Sequence, residues 1–260
     1  MHFTWEKRDK VLADLHVHGM AHGEFNHSKE AIRPFIEYAE SRGLEVLGFA
    51  EHDWFLEEIK FELIRSLQVE TPVSLRVGLE VDHRPGLDCA GLTKEYPFDY
   101  LIGSVHEIDG FLFDHPDYIE VYEQWDSDLL YAAYFERLED LIESDCYDIV
   151  GHFDLIKVFG CRPKKSILPA VTDLLQLIKQ KHLVVEVNTS GRYKPAGEKY
   201  PSDDILLLCR SLDIPITLGS DAHMPRHVGR DLADQVEALT RMGFREIVTF
   251  KGRKPEFHSL

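Results

Sequence analysis

The sequence predicts an α/β fold, a distorted TIM-like (β/α)7 barrel, on three observations. Short apolar runs rich in β-formers alternate with longer runs of helical periodicity. The short runs are apolar on both faces, as parallel strands covered by helices must be. Seven successive runs each end in His, Asp, Glu or Asn. Only a closed barrel brings every carboxyl-terminal strand end to one mouth, whereas an open sheet spreads them along a crevice.

The first strand, 11–18, ends in Asp14-Leu15-His16-Val17-His18. A helix over 28–43 follows, with Ser28 as its cap and Gly43 as its stop. The second strand, 46–51, runs into Glu51-His52-Asp53. Strand three, 75–81, carries Gly78-Leu79-Glu80-Val81-Asp82, and strand four, 100–106, carries Gly103-Ser104-Val105-His106. A long helix is predicted over 118–144 around Leu129, Leu130, Phe135, Leu138 and Leu141. Strand five, 149–153, ends in Gly151-His152-Phe153-Asp154 and is followed by a helix over 168–181. Strand six, 184–188, ends in Glu186-Val187-Asn188, with a helix over 203–212 behind it. Strand seven, 216–220, gives Gly219-Ser220-Asp221-Ala222-His223. A helix over 230–242, closed by Gly243, and a weaker strand over 247–250 complete the series.

A chain of 260 residues suits one barrel domain, 1–260, and a 44 % hydrophobic content supplies its core. There is no linker, repeat or low-complexity stretch. The formal charge of −17 excludes nucleic acid and anionic membranes as natural partners. The N-terminus lacks the apolar run of a signal peptide, and no stretch approaches a bilayer span. Cys89, Cys146, Cys161 and Cys209 form no CxxC pair, so reduced thiols in a cytoplasmic protein are expected.

His16 and His18 are two apart on a strand, so both imidazoles point to one side and can share a metal ion. Imidazole with carboxylate suits Zn, Fe or Mn, and a His-rich, Cys-poor set marks a catalytic site more than a structural one. One such pair is a weak signal. HxH followed by EHD, an isolated Glu, SVH, GHFD and SDAH, each closing a strand, is a strong one. No organic cofactor motif is present.

With DLHVH, AEHD, GLEVD, GSVH, GHFD and GSDAH in this order over nearly the whole chain, the sequence resembles the polymerase and histidinol phosphatase (PHP) superfamily. GSVHEIDGFLFDHPDYIE, GHFDLIKVFGCRP and EVNTSGRYKPAGEKYPS are similar to the histidinol-phosphatase branch. The resemblance implies a PHP-type barrel of about seven strands holding two or three metal ions. It implies His16, His18, Glu80 and Asp221 for the first ion, and Glu80, His106 and His152 for the second. The third would take His52, His223 and a residue of the loop after strand one. Glu24 has the best spacing there, with His22 and His27 as alternates. Glu107, after His106, departs from the branch pattern and is expected to alter the substrate pocket.

The implied activity is metal-dependent phosphomonoester hydrolysis of L-histidinol phosphate, in histidine biosynthesis, by a hydroxide bridging two ions that share Glu80. Glu80, Asp221 and His223 would be catalytic. Arg192 and Arg162, on the loops after strands six and five, are the expected phosphate ligands, because a guanidinium fork binds two oxygens at once. Lys157 and Arg226 are weaker candidates, and Asn188 is expected to contact substrate. Asp53 and Asp154 are expected to accept hydrogen bonds from ligand histidines and orient them. The alternatives are a phosphatase for another small monoester or phosphotyrosine, and a non-catalytic metal-binding module. A nuclease would need a basic approach surface that this composition lacks.

Overall fold

The computed structural model describes residues 10–87 and 90–260. The leader expectation for the first nine residues and the thiol of Cys89 lie outside the described residues. In chain order the strands are β1 (Ala13–Val17), β2 (Val46–His52), β3 (Ser74–Asp82) and β4 (Tyr100–Ser104). A small hairpin follows, β5 (Glu107–Ile108) and β6 (Phe111–Leu112), then β7 (Ile149–Val150), β8 (Val184–Asn188), β9 (Ile216–Gly219), β10 (Glu246–Lys251) and β11 (Lys254–Ser259). The helices are α1 (Lys29–Ser41), α2 (Phe61–Leu67), α3 (Ala90–Glu95), α4 (Ser127–Glu143), α5 (Leu168–Gln180), α6 (Asp203–Ser211) and α7 (Leu232–Met242).

Seven strands form one parallel sheet in the order β1-β2-β3-β4-β7-β8-β9. The sheet is nearly closed. Beyond β9 the His18 N–H donates to the Ala222 carbonyl at 2.9 Å, and the Ala222 N–H to the His16 carbonyl at 3.3 Å. Asp14 tightens the seam from β1: its carboxylate accepts the Ser220 N–H, the Ser220 hydroxyl and the Gly229 N–H at 2.5–2.9 Å. The lumen is filled rather than hollow. Tyr100 on β4 reaches across to the Leu15 carbonyl at 2.6 Å, and a Cβ on Gly78 would meet its ring at 2.3 Å, so β3 needs glycine there.

All seven predicted barrel strands are present, and the predicted run 247–250 lies in β10. It does not join the barrel wall. β10 pairs antiparallel with β11, and this hairpin closes the amino-terminal end of the barrel. Arg76 donates there to the Phe250 carbonyl, and Arg253 pairs with Asp148 just before β7. The long helix predicted over 118–144 is divided. Residues Pro116–Gln124 form a 3₁₀ run, and α4 begins only after Asp126, whose carboxylate accepts the N–H groups of Asp128 and Leu129. Such a cap ends the preceding turn and starts a new helix. α2, α3, β5, β6 and β11 were not predicted.

Cys161 and Cys209 are free thiols. Cys146 is disulfide-bonded, which corrects the expectation of four reduced thiols. Sequence spacing carries no information on which distant residues meet in space. No helix among the described residues is long and apolar enough to cross a membrane.

Candidate metal centre

The carboxyl-terminal strand ends converge as the barrel argument requires, and Glu80 stands at their centre. One of its carboxylate oxygens lies 3.4 Å from His16 Nε2, 3.5 Å from His18 Nε2 and 3.0 Å from His52 Nδ1. The other lies 2.9 Å from His152 Nε2 and 3.6 Å from His106 Nε2, and accepts the Ser104 hydroxyl at 2.7 Å. Glu80 is 2 % exposed. Burial alone would raise its carboxyl, but the surrounding His16, His152 and His52 imidazoles override this and hold it well below the usual carboxylate range. Asp221, opposite, lies 3.4 Å from His18 Nε2. Against the effect of burial, His16, His18 and His223 lower its pKa in the same way. Its backbone sits at φ 53°, a left-handed conformation of the kind found at functional sites.

Three groups have ligand atoms close enough for one ion: His16, His18 and Asp221; His16, Glu80 and His152; and His18, His52 and His223. The Nε2 atoms of His16, His18, His52 and His223 are all buried without a hydrogen-bond partner. Buried polar atoms are almost always paired, and a cluster of unpaired imidazole nitrogens around Glu80 and Asp221, with the Nε2 atoms of His16 and His18 facing these carboxylates, is what a metal-binding site requires. The donor set fits divalent metal ions.

Neighbouring side chains set which nitrogen faces inward. His16 Nδ1 lies 2.6 Å from Glu186 Oε1, so its proton is held there and Nε2 is left free. Gly219 allows this, since a Cβ on it would sit 2.0 Å from Glu186 Oε1. Asp82 lies 3.3 Å from His106 Nδ1 as an ion-pair neighbour. Together with Asp114 and Glu80 it overcomes the effect of burial and raises His106 to about 10. The carboxylate hydrogen-bonded behind a ligand histidine is therefore Glu186. The expectation for Asp53 and Asp154 is corrected. Among the described residues Asp53 makes no hydrogen bond to a histidine, and Asp154 pairs with Lys157 at 2.7 Å and accepts the Ser202 N–H. Glu186 shares the inward face of β8 with Asn188, so strand alternation contained the signal.

The loop after β1 is held by Glu51, which accepts the N–H groups of Gly19 and Met20 and the His27 Nε2–H at 2.7–3.1 Å. The other His27 nitrogen accepts the Lys60 N–H, so His27 has no nitrogen left for a metal. Glu24 folds back onto the His22 N–H at 2.7 Å and belongs to none of the three groups. His22 instead stacks on His223 and His52, with ring centroids 4.3 and 5.7 Å apart.

The centre opens into a cleft of about 700 Å³. Neither Arg192 nor Arg162 lines it. Arg192 donates to Gln235 at 2.8 Å with Asp231 nearby, and Arg162 binds Glu198 at 2.7 Å. Both expectations are corrected for one reason: each fork is taken up by a neighbouring side chain. Lys157 is likewise held by Asp154 and the Lys199 carbonyl. Beyond the clustered histidines, the cleft's basic side chains are Lys194, His115, His227 and Arg230. Asn188 donates to Glu186 and Asp221 and accepts the Ser190 N–H, so it spaces two carboxylates, fully buried and off the cleft lining. Glu107 caps its own hairpin at the Gly110 N–H, away from the cleft.

A parallel barrel that gathers imidazoles around a central carboxylate at this mouth is the scaffold of a metal-dependent hydrolase. The PHP domain matches residues 14–190, and the chain belongs to the PHP domain family, in its histidinol-phosphatase branch. A probable histidinol-phosphatase of Deinococcus radiodurans is 32 % identical, with 94 % of this chain and 98 % of that protein covered. The histidinol-phosphatase of Lactococcus lactis is 27 % identical over 93 % of this chain and 95 % of its own. The crystal structure of the Lactococcus histidinol phosphate phosphatase, complexed with zinc, L-histidinol and phosphate, superposes with a TM-score of 0.79. It is 26 % identical and covers 94 % of this chain and 98 % of that one.

Proposed function

We propose that this protein hydrolyses L-histidinol phosphate to L-histidinol and phosphate, as a single-domain cytoplasmic enzyme of histidine biosynthesis holding two or three Zn, Fe or Mn ions. The observation that carries the reading is Glu80, a buried carboxylate with imidazoles on both of its oxygens, at the floor of an open cleft. It is supported by the relatives of like length, one of them solved with L-histidinol and phosphate bound.

His16, His18 and Asp221 would hold one ion with Glu80, and His106 and His152 a second with the other Glu80 oxygen. His52 and His223 would hold a third, with His22 in the place first assigned to Glu24. Bound ions of this kind supply Lewis-acid polarisation of a phosphoryl oxygen and acidify water. The chain's own residues do the rest. Glu186 keeps the proton of His16 on Nδ1, so that this imidazole presents its Nε2 lone pair inward. Leu155, Val158 and Tyr200 give the cleft an apolar side that excludes bulk water from a small ester. Asp114, on the cleft wall, offers a carboxylate to the ammonium or imidazole of an amino-alcohol phosphate.

Phosphate release from L-histidinol phosphate, p-nitrophenyl phosphate and phosphotyrosine, with metal content read on the same sample, tests the proposal. A strong preference for L-histidinol phosphate that disappears with the metal in His16→Ala is expected. Turnover of the generic esters alone would keep the phosphatase and discard the biosynthetic substrate. Full metal occupancy without turnover of any ester would leave a metal-binding module.

A further inference from the structure

We propose that Arg230 is the guanidinium that grips the substrate's phosphate, held in place by stacking on Tyr193. The inference deepens the phosphomonoesterase reading and rests on it. Arg230 lines the same cleft as Glu80, Asp221 and His223. Its guanidinium carbon lies 3.5 Å from the centroid of the Tyr193 ring. Stacking of this kind uses the flat face of the guanidinium and leaves the N–H groups around its edge free.

Both partners are fixed before any ligand arrives. The Arg230 carbonyl accepts the Thr189 hydroxyl at 2.8 Å, and the preceding Gly229 N–H is held by Asp14 at the barrel seam. The Tyr193 hydroxyl donates to Asp231 at 2.9 Å, which anchors the ring under the guanidinium. Arg230 Nε is buried and has no hydrogen-bond partner, and among the described residues no carboxylate forms an ion pair with Arg230. The contrast with Arg192 and Arg162 is direct, since each of them is occupied by a neighbouring side chain. A chain of net charge −17 that keeps one half-buried guanidinium unpaired beside a metal centre has a site for an anion with several oxygens. A phosphate monoester dianion is such an anion, and the cleft that Arg230 lines also holds Glu80, Asp221 and His223 for its other oxygens to approach.

The test is calorimetric titration of the metal-loaded protein with inorganic phosphate, beside the KM for p-nitrophenyl phosphate and elemental analysis. Arg230→Ala is expected to weaken phosphate binding about 10- to 100-fold, or about 1.4 to 2.8 kcal/mol at about 1.4 per decade, with metal content unchanged. KM should rise in step. Arg230→Lys should recover part of the loss, because an ammonium keeps the charge but not the planar fork. Tyr193→Leu should fall between wild type and Arg230→Ala. If Arg230→Ala fails to fold, Arg230→Gln, planar and uncharged, gives the same reading. Phosphate affinity within twofold of wild type at equal metal content would overturn the inference. A wild type that binds phosphate but hydrolyses no ester would sink the phosphatase reading and leave this comparison standing. A wild type that binds no phosphate would overturn both.

Discussion

Glu186→Gln tests whether the tautomer of His16 is set from behind, as the geometry requires. Glu186 is 1 % exposed and its carboxylate serves three donors: His16 Nδ1–H at 2.6 Å, the His152 N–H at 2.7 Å and the Asn188 amide at 3.2 Å. Glutamine has the same shape but only one accepting oxygen. If that oxygen faces the His152 N–H, the new NH2 faces His16 Nδ1. His16 must then accept there and carry its proton on Nε2, the nitrogen aimed at Glu80. If the oxygen faces His16, two N–H donors oppose each other at His152, at a cost of about 1–3 kcal/mol for a buried unsatisfied group. The first arrangement turns His16 Nε2 from acceptor to donor, and the second strains the backbone that carries His152. Removing an orienting partner of this type costs about 10- to 100-fold in metal affinity or activity. The assay is competition with a chelator of known affinity, with metal content measured on the separated protein and kcat/KM on the same preparation. Metal affinity and kcat/KM both within twofold of wild type would refute the claim that Glu186 sets the His16 proton.

Gly219→Ala reaches the same carboxylate by steric means. Its Cβ would lie 2.0 Å from Glu186 Oε1 and 2.7 Å from His16 Cβ, so a stability loss of about 1–3 kcal/mol together with lost metal is expected in denaturant unfolding and elemental analysis. Stripping metal with a chelator should lower the melting temperature of the wild type. Ligand at 100-fold its Kd stabilises by about 2.7 kcal/mol, equivalent to about 5–11 °C for a chain of this size. Readdition of metal should restore the value, and an unchanged melting curve would argue against a bound ion. His22→Ala is expected to reduce metal stoichiometry or affinity more than Glu24→Ala, because the His22 ring lies over His223 while Glu24 closes its own loop. The reverse order in elemental analysis would return the role to Glu24.

What could be read from the sequence divides along a physical line. Barrel strands and their terminal ligands were legible because two independent periodicities agree: apolar on both faces along the strand, then polar at the carboxyl end. Residues on strands inherit their direction from the backbone, so His16, His18 and Glu80 come to one centre with no further information. Glu186 obeys the same rule and was recoverable, since it lies two residues before Asn188 on the same face of β8. Loops carry no such rule. Arg192, Tyr193 and Lys194 are adjacent in sequence, yet Arg192 turns to Gln235 while Tyr193 and Lys194 face the cleft. What decides among them is whether a neighbour satisfies the guanidinium, and for Arg192 the deciding neighbour is Gln235, 43 residues downstream on α7. The split of the predicted helix at Asp126 is the intermediate case. Its apolar spacing is continuous across the break, and only a cap chemistry that Asp shares with many solvent-facing positions marks it. The order of legibility is therefore that of how locally each direction is fixed: strand side chains by alternation, helix starts by caps, and loop side chains by partners that only the fold brings near.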